Sequence, residues 1–194
     1  MKTLAEWIQV DNVGSEDGQP PTQPHDDLAF DNALAGWSGL PYSELSYVLV
    51  HLRYLAMLHQ THHWVAKGDA FYGDHELFQK LYERTLEDVD DVAEKAVGLG
   101  CEQNVSLPMQ LVQLVRVCKS LDSPQTVPQT SELAKASLAA ERSFLKLVSA
   151  AYQSLEQHGA LTPGVDNLLQ QVADRHEKHV YLLGRKCAQN ALGM

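Results

Sequence analysis

The sequence has no apolar run approaching the ~20 residues that a membrane-spanning helix needs. Its start, Met1-Lys2-Thr3-Leu4-Ala5-Glu6, has no apolar signal core. Both absences point to a cytoplasmic protein. Cysteine is scarce and odd in number: Cys101, Cys118 and Cys187, with no CxxC spacing. That argues against a disulfide framework and against a zinc ribbon, and predicts three reduced thiols. Basic residues are also in deficit, with 15 Lys and Arg against 25 Asp and Glu and a formal net charge of -10. That balance argues against a uniformly basic nucleic-acid binder, whereas a protein that collects cations fits it.

What is present is a chain of 194 residues, 44% apolar, enough for one well-cored domain. Residues 1–40 stand apart. Between Gly14 and Asp27 the composition is Gly, Ser, Pro, Gln and acids, with almost nothing to bury, so an extended or mobile arm is expected there. From residue 41 to 194 the pattern is helical. Leu45, Val48, Leu49, Leu52, Leu55 and Ala56 recur at steps of three and four. They predict a helix over Tyr42 to Ala66, with Pro41 in its first turn. A second helix is expected from Asp74, as N-cap after Gly73, to Leu99, with Gly100 closing it. A connector of roughly thirty residues follows and carries one short amphipathic helix after Ser106-Leu107-Pro108. A third helix is expected from Thr130 or Ser131 to Gly159, and a fourth from Thr162-Pro163 to about Asn190.

Short loops make antiparallel neighbours, and a single long crossover in the middle is the ferritin-like arrangement. The fold expected is therefore all-α: a ferritin-like antiparallel four-helix bundle with a short helix in the long crossover between helices 2 and 3. At ~1.5 Å per residue, helices of about 26 residues would be ~39 Å long, sufficient to enclose a core.

Histidine concentrates where the first helix ends. His59, His62 and His63 fall within five positions, and His75 opens the next helix. His59 and His63 are i,i+4 and share a face, as do Asp90 and Glu94 farther down the second helix, near Asp88 and Asp91. Imidazole with carboxylate suits iron, manganese or zinc rather than a soft thiolate metal. On the fourth helix Asp174, His176, Glu177 and His179 cluster, and His176 falls on the apolar stripe between Val172 and Val180. Glu141 lies near the buried edge of the third helix. A di-metal site inside the bundle wants Glu-x-x-His on two helices, and that pattern is missing here.

The run Leu58-His59-Gln60-Thr61-His62-His63-Trp64, then Lys67-Gly68, Phe71, His75-Glu76, Phe78, Leu81-Tyr82, Asp90, Ala93-Glu94 and Leu99-Gly100 closely resembles the Dps family of mini-ferritins. His63 to His75 is 12 residues, His75 to Asp90 is 15 and Asp90 to Glu94 is 4, matching that family's spacing without a gap. The resemblance implies a homo-oligomer, a hollow dodecamer, that stores iron. It also implies ferroxidase centres between subunits, oxidising ferrous iron with peroxide or dioxygen and protecting against oxidative stress. Carried over by position, His63 and His75 are the histidine pair of one subunit, and Asp90 and Glu94 the acids facing them from a neighbour. Trp64 would pack beside the site. One departure stands out: where the family has a carboxylate four residues after the second histidine, this chain has Gln79. A neutral amide binds divalent cations more weakly, and His59, Glu76 and Glu83 are the residues placed to compensate. Two other readings stay open: a non-catalytic ferritin-fold shell or metal-binding protein with a degraded centre, and an intra-bundle di-metal oxidase using Glu141 and His176. Some members of the family hold DNA through Lys-rich tails. Here Lys2 is the only Lys or Arg in the first forty residues, against seven acids from Glu6 to Asp31. Such an arm is repelled by phosphate, and no appreciable DNA binding is expected from it.

Overall fold

The computed structural model describes residues 39–121 and 128–191, with side chains to residue 188. Five helices are present: α1 Ser43–Val65, α2 Phe71–Gly98, α3 Leu107–Ser120, α4 Thr130–Gln157 and α5 Pro163–Ala191. There is no strand among the described residues. A 3-10 turn, Glu102–Val105, precedes α3. α1 packs against α2, α4 and α3, while α5 packs against α4 and α2. The four long helices form the bundle, and α3 rides on its outside within the crossover. This is the ferritin-like architecture expected from the hydrophobic periodicity. No described helix is long and apolar enough to cross a membrane, and all three cysteines are free. The expected arm lies outside the described residues, apart from Gly39 and Leu40.

The ends of the helices follow local chemistry, with two corrections. Pro41 sits just before α1 rather than inside its first turn. The chain turns into the helix at Tyr42, whose φ of 55° is left-handed. That conformation is held from outside: Asn104 Nδ2 donates to the carbonyls of Pro41 (3.0 Å) and Tyr42 (2.9 Å). α2 begins at Phe71, three residues earlier than Asp74. Asp74 is not a cap but a buried member of the first turn, ion-paired with Lys186 of α5 at 2.7 Å. Here a tertiary ion pair overrides the local capping preference. The expected glycine stops are both present. Gly100 and Gly159 have positive φ. After them, Cys101 N–H donates to Ala96 O (3.0 Å) and Ala160 N–H to Leu155 O (2.8 Å), the six-to-one bond of a Schellman ending. α5 starts as Thr-Pro predicts, with Thr162 Oγ1 accepting from Val165 N–H at 3.3 Å.

The apolar core comes in two pieces. The larger holds Leu49, Leu52, Val92, Phe144, Leu155 and Leu169, among others. The smaller holds Phe78, Leu81, Leu133, Ala134 and Leu183. Where the two pieces meet, each long helix turns polar residues inward: His59 and His62 on α1, Thr85 and Asp88 on α2, Ser137 and Glu141 on α4, His176 and His179 on α5.

Asn104 is almost fully buried and ties the crossover to the start of α1. Asn104→Ala should destabilise the chain by about 1–3 kcal/mol, because two carbonyls lose their donor. Urea unfolding would measure this, and an unchanged midpoint would contradict it.

Candidate functional site

Two groups of chemistry-bearing residues emerge, one at the rim where α1 meets α2 and one inside the bundle. The first is the pair His63 and His75. Their rings stack with centroids 3.7 Å apart. His63 Nδ1–H donates to the His75 carbonyl (2.9 Å), and His75 Nδ1–H donates to the His63 carbonyl (3.0 Å). This reciprocal clasp fixes both tautomers and leaves Nε2 of each ring for a ligand, the arrangement typical of metal-binding histidine. Both residues are half-buried. Gln79, four residues after His75, donates from Nε2 to Glu83 Oε1 at 2.8 Å, which leaves its carbonyl oxygen for other use.

Asp90 and Glu94 are exposed on α2. They cannot reach the histidine pair of their own chain, since fifteen residues of helix separate His75 from Asp90 by about 22 Å. They do share its face: at about 100° per residue, His75, Gln79, Tyr82, Leu86, Asp90 and Glu94 fall within roughly a third of the helix circumference. Tyr82 touches His63, with ring centroids 5.4 Å apart. It also lines an apolar groove between α1, α2 and α3, together with Met57, Leu86, Leu107, Leu111 and Leu114. Met57, Leu86, Leu107 and Leu111 are exposed large apolar side chains. Trp64, expected beside the site, is 67% exposed.

The second group is the polar layer that divides the core. His59 is there, and not with His63. Its Nε2 lies 2.8 Å from Glu141 Oε1 and its Nδ1 3.1 Å from Ser137 Oγ. The shared face inferred from i,i+4 spacing is overridden by packing: a rotation of ~40° between the two positions is enough to send one ring inward and the other to the helix edge. His62 also turns inward, with Nδ1 2.8 Å from Ser137 Oγ. From α5, His179 Nδ1 lies 3.0 Å from Glu141 Oε1 and His176 Nδ1 2.5 Å from Glu141 Oε2. Asp174 and Glu177 face outward, and Asp174 pairs with Lys178 at 2.6 Å. From α2, Asp88 forms an ion pair with Arg175 Nη2 (2.5 Å) and lies 3.4 Å from His176 Nε2.

Protons in this layer can be counted. An ionised Glu141 only accepts, so His59 Nε2, His179 Nδ1 and His176 Nδ1 each carry a hydrogen and donate to it. His59, held neutral by burial, then has a bare Nδ1 that accepts from Ser137 O–H, and Ser137 in turn accepts from His62 Nδ1–H. Burial alone would raise the Glu141 carboxyl, but the bonds from His176, His179 and His59 outweigh it and hold it well below the usual range. Burial also lowers His176, yet Asp88 and Glu141 reverse this and raise it to about 9. His62 drops to about 4, through burial first and His59 second.

The sequence spacing did not place Asp88, Ser137 and His62 in this buried layer. The available signal was position: Leu81, Thr85, Asp88 and Val92 recur at steps of four, three and four, which puts Asp88 on the apolar stripe.

Comparison with known proteins agrees with this architecture. Residues 43–189 match the family described as ferritin-like domain. A nutrient stress-induced DNA-binding protein of a Nostoc species is 25% identical over 148 residues, covering 76% of this chain and 77% of that protein. A Dps of Thermosynechococcus elongatus superposes with a TM-score of 0.64 at 14% identity, covering 81% of this chain and 93% of the other. A Dps of Vibrio cholerae, described as belonging to a broad superfamily of ferritin-like diiron-carboxylate proteins, gives 0.61 at 16%, covering 80% and 91%. The expected lack of DNA binding finds no support in the Nostoc relative's name, and nothing in these likenesses supports zinc or manganese in place of iron.

The polar layer sets a pH optimum for chelator-treated protein. His176 is raised in the fold, so its contribution is complete below the unfolded value near 6.5 and is lost as pH rises through about 9. His62 is lowered to about 4, so the unfolded chain takes up its proton first and stability falls as pH drops below about 6.5. Glu141 adds to the acid limb. Tm against pH should peak near neutrality, with each limb on the order of 3 kcal/mol, and His176→Gln should flatten the alkaline one. A flat profile from pH 5 to 9 would refute it.

Proposed function

The chain belongs to the ferritin-like family, and from that premise we propose that it is a Dps-type mini-ferritin. Its substrate is ferrous iron, which it oxidises with peroxide or dioxygen at a site between two subunits and stores as ferric mineral. The observation that carries this reading is the single face of α2, with a clasped histidine pair at one end and two acids at the other.

A two-fold axis crossing α2 between Tyr82 and Leu86 would lay two copies antiparallel. Each His63–His75 pair would then meet the partner's Asp90 and Glu94, since the midpoint of residues 75 to 94 falls there. The apolar groove is continuous with the histidine pair through Tyr82, and its exposed Met57, Leu86, Leu107 and Leu111 suit a second copy. The shell expected from such dimers is the dodecamer of the Dps family.

At the joined site, His63 and His75 Nε2 and the partner's carboxylates hold iron, with Gln79 Oε1 as a weaker neutral donor and Glu83 beside it. Two ferrous ions give one electron each to peroxide, which takes up two protons and leaves as water. The protein supplies position and charge, and the ferric product hydrolyses in the cavity. His59, bonded to Glu141 inside the bundle, is assigned no part in this centre.

Three outcomes are expected. A His63→Ala, His75→Ala double variant should lose the fast rise in ferric absorbance, slowing it ~10–100-fold. Co-assembling that variant with an Asp90→Asn, Glu94→Gln chain should restore the fast phase at about a quarter of sites, since random pairing leaves one intact site in each mixed dimer. Failure to restore it would place the acids and histidines in separate sites. Leu111→Glu should release smaller species in size-exclusion chromatography, and an unchanged particle would remove the groove from the interface.

A further inference from the structure

The polar layer contains more than satisfied hydrogen bonds require. His59 Nε2 from α1 and His179 Nδ1 from α5 converge on one oxygen, Glu141 Oε1, at 2.8 and 3.0 Å, although Glu141 Oε2 is already engaged by His176. One ligand atom from each of His59, Glu141 and His179 lies within 4.8 Å of the others, and all three residues are buried. The His59 and His179 rings meet edge-on, with centroids 6.4 Å apart. An apolar residue in place of Glu141, with apolar partners at the two histidines, would avoid the cost of burying a carboxylate among imidazoles.

We infer that His59 Nε2, His179 Nδ1 and Glu141 Oε1 form a binding site inside each subunit for one divalent first-row transition-metal ion, separate from the inter-subunit iron site. Two imidazoles and one carboxylate select zinc, ferrous iron or cobalt. They disfavour calcium and magnesium, which want oxygen, and copper(I), which wants sulfur. Two histidines and a glutamate are also an established zinc triad with a fourth position open. Around an ion with ligands at ~2.05 Å, tetrahedral geometry puts neighbouring donor atoms about 3.3 Å apart. The two spacings to Glu141 Oε1, 2.8 and 3.0 Å, are a few tenths of an ångström shorter, as expected where protons rather than an ion join the imidazoles to the carboxylate.

The neighbouring residues complete the site. When an ion takes His59 Nε2, the ring proton moves to Nδ1 and donates to Ser137 Oγ. Ser137 then donates to His62 Nδ1, so the relay runs in the opposite sense. His176 Nδ1 steadies the second oxygen of Glu141, and Asp88 stands behind His176. Such outer partners orient ligands and raise affinity. The site lacks the Glu-x-x-His pairs of a di-iron bundle, and only the i,i+3 spacing of His176 and His179 resembles them. It therefore takes one ion and not two.

The test uses full-length protein carrying His63→Ala and His75→Ala, which removes the histidines of the inter-subunit centre. The protein is produced in cobalt-supplemented medium and dialysed against metal-free buffer. The expected result is about one cobalt per chain with the intense d–d bands of a four-coordinate ion. Glu141→Gln or His59→Ala in the same background should lower retention ~10–100-fold, with helicity and particle size checked alongside. His179→Gln is the alternative should Glu141→Gln fail to fold. Cobalt absent from the parent, or retained equally by the variants, overturns the inference. A cobalt-loaded crystal of the unsubstituted protein decides independently. Anomalous density bounded by His59, Glu141 and His179 supports the site, and density at the His63–His75 pair alone refutes it. Failure of the ferroxidase reading would leave this result untouched, because the parent variant already lacks those two histidines.

Discussion

The buried carboxylate of Glu141 organises the centre of this bundle. Removing it from water is costly, and three imidazole donors from two other helices offset that cost. The arrangement demands that α1, α4 and α5 stand at one register, since a slip of one turn on α1 would cost the carboxylate its bond from His59, and a slip on α5 those from His176 and His179. Leucines would tolerate such a slip far better. The split core on either side of the layer supplies the bulk of the burial, and the polar layer fixes alignment.

That alignment extends to the surface. With His59 and His62 drawn inward to Ser137 and Glu141, the next residue, His63, is left at the rim of α1. There it meets His75 across the short loop, and the two rings exchange bonds with each other's backbone. The buried polar layer and the histidine pair therefore share one helix end, and the geometry of the pair follows from the register of the layer.

α2 has a similar double duty. Asp88 points into the bundle, ion-paired with Arg175, while the line from Tyr82 through Leu86 to Asp90 and Glu94 lies on the opposite side. Two residues of helix, about 200° of rotation, separate an aspartate that serves the core from one on the exposed face. The burial of Asp88 and the exposure of Asp90 are thus a consequence of helix geometry alone.

Much of this was written into the chain itself. The 3.6-residue recurrence of Leu and Val set the helices, Gly100 and Gly159 stopped two of them through positive φ, and Thr162-Pro163 opened the last. The spacing of His63, His75, Asp90 and Glu94 carried the family resemblance. What periodicity could not decide was direction where polar residues occupy an apolar stripe. His59 is one turn from His63 and its spacing suggested a common site, yet it joins Glu141, 82 positions away. Asp74 has the composition of a cap and became a buried partner of Lys186. Such choices are made between helices distant in sequence, where a charge settles beside whichever partner compensates its desolvation, and only the folded chain brings those partners within reach.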